Sequence, residues 1–217
     1  MKHYLFFDLD GTVTDSKTGI IRSVQHALAH FNVSRADDDL LYFIGPPLRD
    51  SFGKIFEGDT AKAELAVQKY REYYTVTGIF ENALYEGIAD LLADLRGAGR
   101  VLSLATSKPE PFALRILEHF GIASLFDHVA GAELTGPRNS KSSVLRHACG
   151  LCGVADMQQC LMVGDRKYDV LGAHAVGMPC AGVLYGYGSR SELEEAGAEC
   201  LCDDVPALRQ LLLPRVS

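Results

Sequence analysis

The sequence is short of positive charge. Its 21 lysines and arginines stand against 28 aspartates and glutamates, a formal net charge of −7, and no stretch gathers the basic residues into a cluster. Binding to nucleic acid polymers or to an anionic membrane surface depends on concentrated positive charge, so both are disfavoured. A small anionic ligand is still compatible, because local charge at a site matters more than the total. The N-terminus has too little apolar sequence for a signal peptide: Tyr4-Leu5-Phe6-Phe7 runs straight into Asp8. A cytoplasmic location is therefore expected. Cysteine is missing from the first 148 residues, and all six fall in the C-terminal third at 149, 152, 160, 180, 200 and 202. With no export signal they are expected to be reduced thiols. Cys149-Gly-Leu-Cys152 has metal-ligand spacing, with Cys200-Leu-Cys202 as a conceivable second half. Cys149, however, ends an apolar helical pattern rather than sitting in a loop, so small buried hydrophobes are the expectation.

At 217 residues the chain is long enough to bury a sizeable core without disulfides or a structural metal. Val170 to Ser189 lacks Asp, Glu, Lys and Arg, but its five glycines and Pro179 break it into a helix end, a turn and a buried strand rather than a membrane span. Short apolar runs at Tyr4–Phe7, Val101–Ala105, His128–Gly131, Leu161–Val163 and Ala181–Leu184 have the character of strands buried on both faces. Amphipathic segments lie between the runs, at Ile88–Leu95, Pro111–Phe120, Ser142–Cys149 and Tyr168–Val176. Strands alternating with helices indicate an α/β fold, a Rossmann-like doubly wound parallel sheet. Residues 16–80 break the rhythm: Ile20, Val24, Leu28 and Phe31, then Ala63, Val67, Tyr70 and Tyr74, keep helical spacing with no strand run between them. The expected organisation is a core of residues 1–15 and 81–217 with a small helical cap, 16–80, inserted after the first strand.

In an open parallel sheet, ligands bind at the carboxyl ends of the strands. Three such ends carry polar chemistry: Asp8-Leu9-Asp10-Gly11-Thr12-Val13-Thr14-Asp15, Thr106-Ser107-Lys108-Pro109, and Gly164-Asp165-Arg166-Lys167-Tyr168-Asp169. Asp8, Asp10, Asp165 and Asp169 would then share one crevice. Two carboxylates about 4 Å apart repel by about 4 kcal/mol at an effective dielectric of about 20, so something must compensate. Hard oxygen ligands on loops suit Mg²⁺, and Lys141 would add a positive charge. Each element taken alone has a structural explanation: aspartates as helix caps or turn formers, Thr106 and Ser107 as the cap of a helix beginning near Pro109, Lys141 as a surface lysine.

Taken together and in this order, the four segments resemble the ordered motifs of the haloacid dehalogenase superfamily, and the helical insert resembles the cap of its phosphoglycolate phosphatase-like and 5′-nucleotidase-like branch. The resemblance implies a Mg²⁺-dependent phosphomonoesterase that works through an aspartyl-phosphate on a small phosphate ester. Asp8 would be the nucleophile and Asp10 the acid and base. Thr106 and the backbone N–H of Ser107 would hold the phosphate, and Lys141 would neutralise charge. Asp8, the backbone carbonyl of Asp10 and Asp165 would bind Mg²⁺, with Asp169 as a further ligand or support. Two serines follow Lys141 where phosphoglycolate phosphatases usually have proline, which leaves the nucleotidase-like branch at least as strong. A phosphomutase acting on a sugar phosphate shares all four motifs, and a phospho-accepting signalling module also gathers acids at strand ends. A dehalogenase would lack Asp10. In the insert, Gly45-Pro46-Pro47 precedes Arg49, which either pairs with Asp50 or solvent or grips the substrate away from the scissile bond. The expected partner is a small phosphorylated metabolite, and the expected state a monomer or small homo-oligomer.

Overall fold

A computed structural model describes residues 2–213 and divides the chain into two compact units: Met1–Thr14 with Leu84–Ser217, and Asp15–Ala83. From the N-terminus the elements are β1 (Tyr4–Phe7), β2 (Thr14–Asp15), α1 (Lys17–Ala29), α2 (Leu48–Ile55), α3 (Thr60–Tyr74) and β3 (Ala83–Leu84). There follow α4 (Ile88–Gly97), β4 (Val101–Pro109), α5 (Glu110–His119), β5 (His128–Ala132), α6 (Lys141–Leu151) and β6 (Cys160–Gly164). The chain closes with α7 (Lys167–His174), β7 (Cys180–Val183), α8 (Arg190–Ala196), β8 (Cys200–Cys202) and α9 (Val205–Leu212). No helix among the described residues is long and apolar enough to cross a membrane.

The larger unit is built on a six-stranded sheet in the order β5-β4-β1-β6-β7-β8, with every pairing parallel. Numbered by appearance in the sheet, those strands run 3-2-1-4-5-6, the doubly wound order, and the direction of winding reverses between β1 and β6. Parallel strands covered on both sides must be apolar throughout, which is why Leu5, Phe6 and Phe7 are all buried. Successive side chains on a strand point to opposite faces. Phe6 joins Met162, Cys160 and Cys180 in a cluster with Val144, Leu145 and Ala148 of α6, Val170 and Ala173 of α7, and Leu193 of α8. Phe7 faces the other way and meets Phe126 edge-on at 6.4 Å between ring centroids.

Two elements lay outside the apolar runs of the sequence. The edge strand β8 of this unit, Cys-Leu-Cys, is too short to give a run, and β2 and β3 pair as a ribbon with two residues per strand. The six cysteines are free thiols: Cys149, Cys160, Cys180 and Cys202 are buried, Cys152 and Cys200 half-buried. Burial pushes the Cys149 thiol up to about 11 and the Cys160 thiol up to about 12, the latter against a smaller pull from Lys2.

The smaller unit is helical. Ile20, Val24 and Leu28 of α1 and Ala63, Val67, Tyr70 and Tyr74 of α3 are buried at the helical spacing that their sequence shows. Phe31 lies beyond the end of α1 and packs its ring on Phe56 at 4.7 Å. Asp59 starts α3 by accepting from the Lys62 N–H at 3.0 Å.

Met162 sits fully buried at the centre of β6, so Met162→Ala should lower the unfolding free energy by about 2–5 kcal/mol. Leu171, 53% exposed on α7, should cost no more than about 0.5 kcal/mol when changed to alanine. Urea denaturation with unchanged slopes checks both values.

Candidate active site

Asp8 follows β1 directly, and its backbone N–H still donates to the Val163 carbonyl at 2.9 Å, so the parallel ladder fixes where its side chain starts. Asp165 follows β6, the neighbouring strand across the switch point. Asp169 stands one turn into α7, where its Oδ2 accepts from the Arg166 backbone N–H at 3.0 Å and thereby caps the helix. Asp8, Asp165 and Asp169 are buried, and each has a carboxylate oxygen within 4.8 Å of the others.

Lys141, the first residue of α6, reaches into this cluster. Its ammonium lies 2.8 Å from Asp8 Oδ1 and 2.7 Å from Asp169 Oδ1, and donates to the Ala105 carbonyl at 3.0 Å. An ammonium has three protons, and here it meets three acceptors. Burial alone would pull its pKa down, but Asp169 and then Asp8 outweigh burial and hold it above the ordinary lysine value, so it is charged. Ser140 and Ser143, on either side of Lys141, start its helix: Ser140 Oγ accepts from the Ser143 N–H at 3.3 Å, and Ser143 Oγ accepts from the Ser140 N–H at 3.1 Å. This capping box satisfies the helix start.

The residue motifs of the second segment differ in structure from the sequence expectation. β4 does not stop at Ala105 but continues to Pro109, with a register shift against β5 between Ala105 and Pro109, and α5 starts at Glu110. Thr106 is buried and Ser107 half-buried within this irregular strand end, so neither caps a helix. Thr106 Oγ1 instead accepts from the Lys108 N–H at 3.2 Å. Lys108 itself is the functional candidate that the sequence reading passed over. Its Nζ donates to Asp10 Oδ1 at 2.6 Å, with the two side chains only 6% and 12% exposed.

Close backbone approach completes the site. Gly11 has φ of +85°, and a Cβ there would lie 2.1 Å from Asp165 Oδ2, so glycine is required on both counts. On the other side of Asp165, the Tyr187 N–H donates to Oδ2 at 2.8 Å, and a Cβ at Gly186 would lie 2.4 Å from the Asp165 Cβ. Tyr185 donates its hydroxyl to the Thr12 carbonyl at 3.0 Å, tying this loop to the first motif. Arg49 belongs to the helical unit, where its guanidinium pairs with Glu64 of α3 rather than with Asp50, and its side chain is 66% exposed.

These residues suit a divalent cation. Asp165 Oδ1 is buried with no hydrogen-bond partner among the described residues. Burial, with Asp169 and Asp8 adding repulsion, raises the Asp165 carboxyl well above its ordinary range. Burial likewise raises Asp169 to about 6, against the pull of Lys141. A divalent cation beside Asp165 and Asp169 would favour their ionised forms. The donors are all oxygen, as a hard cation prefers. Asp169 Oδ2 accepts from the Arg166 N–H and its Oδ1 faces Lys141, while Asp8, Asp165 and Asp169 together form the group of carboxylates close enough to hold a metal.

Gly172 of α7 is where Lys141 passes: a Cβ there would lie 2.5 Å from Lys141 Cγ and 2.7 Å from its Cβ. Glycine to alanine within a helix ordinarily gains up to about 1 kcal/mol. Here Gly172→Ala should lower the thermal unfolding midpoint instead, because the saturated Lys141 side chain has nowhere to move; calorimetry checks the sign.

Residues 5–183 match the family model described as haloacid dehalogenase-like hydrolase. The chain is 46% identical over 209 residues to a 5′-nucleotidase of Pseudomonas aeruginosa, covering 96% of this chain and 94% of that protein. It is 45% identical over 185 residues to the tyrosine-protein kinase PtkA of Mycobacterium tuberculosis, covering 85% of this chain but 62% of that one. A phosphoglycolate phosphatase of Haemophilus influenzae is 31% identical over 218 residues, covering 95% and 96%. The crystal structure of a predicted phosphatase from Clostridium acetobutylicum superposes with a TM-score of 0.93 at 40% identity, covering 98% of each chain. With the doubly wound sheet and the acid cluster at its switch point, this likeness along almost the whole chain places the protein in the haloacid dehalogenase-like hydrolase family.

Proposed function

We propose that this hydrolase is a Mg²⁺-dependent phosphomonoesterase that cleaves a small phosphate ester, a 5′-nucleotide before phosphoglycolate, through an aspartyl-phosphate. The observation that carries the reading is the buried Asp8 carboxylate, held by the Lys141 ammonium beside the unpartnered Asp165 oxygen at the switch point. The greater identity to the nucleotidase than to the phosphoglycolate phosphatase supports the order of substrates. A cytoplasmic setting belongs to the same reading.

In this mechanism an Asp8 oxygen attacks phosphorus, and the P–O bond to the leaving group breaks in line. Asp10 gives its proton to the departing oxygen, then removes one from the water that attacks the aspartyl-phosphate. Inorganic phosphate leaves, and Asp8 is a carboxylate again. Splitting the hydrolysis lets each half use a nearby nucleophile. The Thr106 hydroxyl, which accepts from Lys108 and keeps its own proton to donate, and the Ser107 N–H hold the phosphoryl oxygens. Lys141 opposes the charge on them. Mg²⁺, when bound by Asp8, Asp165 and the backbone carbonyl of Asp10, supplies further charge neutralisation. Asp169 supports that set by fixing Lys141. Arg49 is the helical unit's candidate for gripping the rest of the substrate, and to do so it must exchange Glu64 for the ligand.

A second reading, phosphoryl transfer to a protein tyrosine, is favoured by the PtkA likeness alone. Two assays separate the readings: phosphate release from a nucleoside 5′-monophosphate supports the first, and transfer of label from γ-labelled ATP to tyrosine supports the second.

Phosphate release should be measured on a panel of nucleoside 5′-monophosphates, sugar phosphates and phosphoglycolate, with and without Mg²⁺. Asp8→Asn should lower turnover at least about 10³-fold with the fold intact. Asp10→Asn should harm esters with poor leaving groups far more than p-nitrophenyl phosphate, whose leaving group needs no proton. Retention of a tenth of the activity by Asp8→Asn would remove it as the nucleophile.

The acid pair also predicts how metal and pH combine. A carboxyl whose folded pKa is raised keeps protons that the unfolded chain has released above about pH 4. Its contribution to stability is therefore full at low pH and falls as pH rises through the Asp169 value of about 6. Mg²⁺ held by these carboxylates would offset both the burial of their charge, the larger cause of this loss, and their mutual repulsion. Its addition should thus raise the thermal midpoint more at pH 8 than at pH 5, and a shift independent of pH would count against the metal assignment.

A further inference from the structure

Asp10 stands at the tip of a turn, not on a strand. The turn backbone is well held: Gly11 donates to the Thr14 carbonyl at 2.8 Å, and Thr12, Val13 and Thr14 all donate to the Leu9 carbonyl. None of these bonds reaches the Asp10 carboxyl. Among the described residues, its side chain has one partner, the Lys108 ammonium at 2.6 Å. Both groups are almost out of water, so this contact is costly to break and directional while it lasts. Lys108 in turn is placed by the irregular end of β4. The register shift re-aims side chains there, and the Thr106 hydroxyl takes the Lys108 backbone N–H.

We infer that Lys108 is a positioning residue for Asp10: it holds the carboxyl in the direction from which the proton reaches the leaving oxygen and, afterwards, leaves the attacking water. The two reactive carboxylates then have a lysine each, Lys141 for Asp8 and Lys108 for Asp10. The division of labour is geometric, because proton transfer needs the carboxyl within hydrogen-bond reach of the oxygen, and a displacement of about 1 Å costs about 10²-fold. This inference rests on the phosphomonoesterase reading above.

The test compares Lys108→Met, which keeps the length and loses the charge, with Lys108→Arg, which keeps a donor, on two substrates. One is the nucleoside 5′-monophosphate that the wild-type protein hydrolyses fastest, and the other is p-nitrophenyl phosphate. For Lys108→Met the fall in kcat should be at least about tenfold larger on the nucleotide than on the aryl ester, with KM little changed, and Lys108→Arg should recover part of it. In an Asp10→Asn background, Lys108→Met should add almost nothing, since a residue acting through Asp10 has nothing left to position. Circular dichroism and the thermal midpoint check folding, and Lys108→Gln provides the reading if Lys108→Met does not fold. A raised KM with unchanged kcat would show that Lys108 binds substrate instead. Equal losses on both substrates, or a full additional loss in the Asp10→Asn background, would make it part of the scaffold. If Asp10→Asn alone is selective for the nucleotide and Lys108→Met is not, the positioning role falls and the phosphomonoesterase reading stands. If Asp10→Asn itself hits both substrates equally, the acid role falls and the positioning role with it.

Discussion

The site depends on one ammonium group. Lys141 joins three pieces of chain that are far apart in sequence: the end of β1 through Asp8, β4 through the Ala105 carbonyl, and the start of α7 through Asp169. Three buried carboxylates this close would repel strongly at the low effective dielectric of a protein interior. A buried, saturated cation makes their proximity tolerable, and the same cation must be buried to do so. Burial disfavours its charge, so neither partner is stable there without the other.

Holding Lys141 in place recruits residues with no chemistry of their own. Ser140 and Ser143 start the helix that carries it, Gly172 lets α7 lie against its stem, and Asp169 caps α7 while facing it. Asp165 is enclosed in a similar way by Gly11 and Gly186 and by the Tyr187 N–H. The backbone therefore does much of the work that is usually credited to the four charged residues. Bond geometry within rigid strand ends keeps the carboxylates near each other before any ligand arrives, which is the preorganisation that charge-stabilising sites rely on.

The second segment shows the opposite style of construction. Thr106, Ser107 and Lys108 lie on a strand end whose register slips, and the chain there departs from regular pairing to aim Lys108 at Asp10. A lysine following Thr-Ser carries no signal in composition or periodicity. Its role depends on a partner 98 residues away in the chain, and that distance is why reading along the sequence passed it over. Glycines 172 and 186 were equally silent: a glycine in a sequence announces a turn, whereas what these residues provide is room for a side chain from elsewhere.

Local pattern by itself determined the strands β1, β4 to β7, the helices between them and the helical segment that interrupts them, because burial on two faces or on one stripe leaves a run or a period that neighbouring residues display. It also marked Asp8, Asp10, Asp165 and Asp169, since acids placed directly after apolar strands stand out whatever the fold. Tertiary structure alone decided which of these acids meet. It brought Asp8, Asp165 and Asp169 within 4.8 Å, set the Asp10 carboxyl against Lys108, and gave Arg49 to Glu64. It also settled the extent of β4 and the presence of β8, whose three residues form a strand only because β7 offers them a ladder. The physical reason is common to these cases: propensity and periodicity are properties of adjacent residues, while charge pairing, close backbone approach and edge pairing are properties of distance in space.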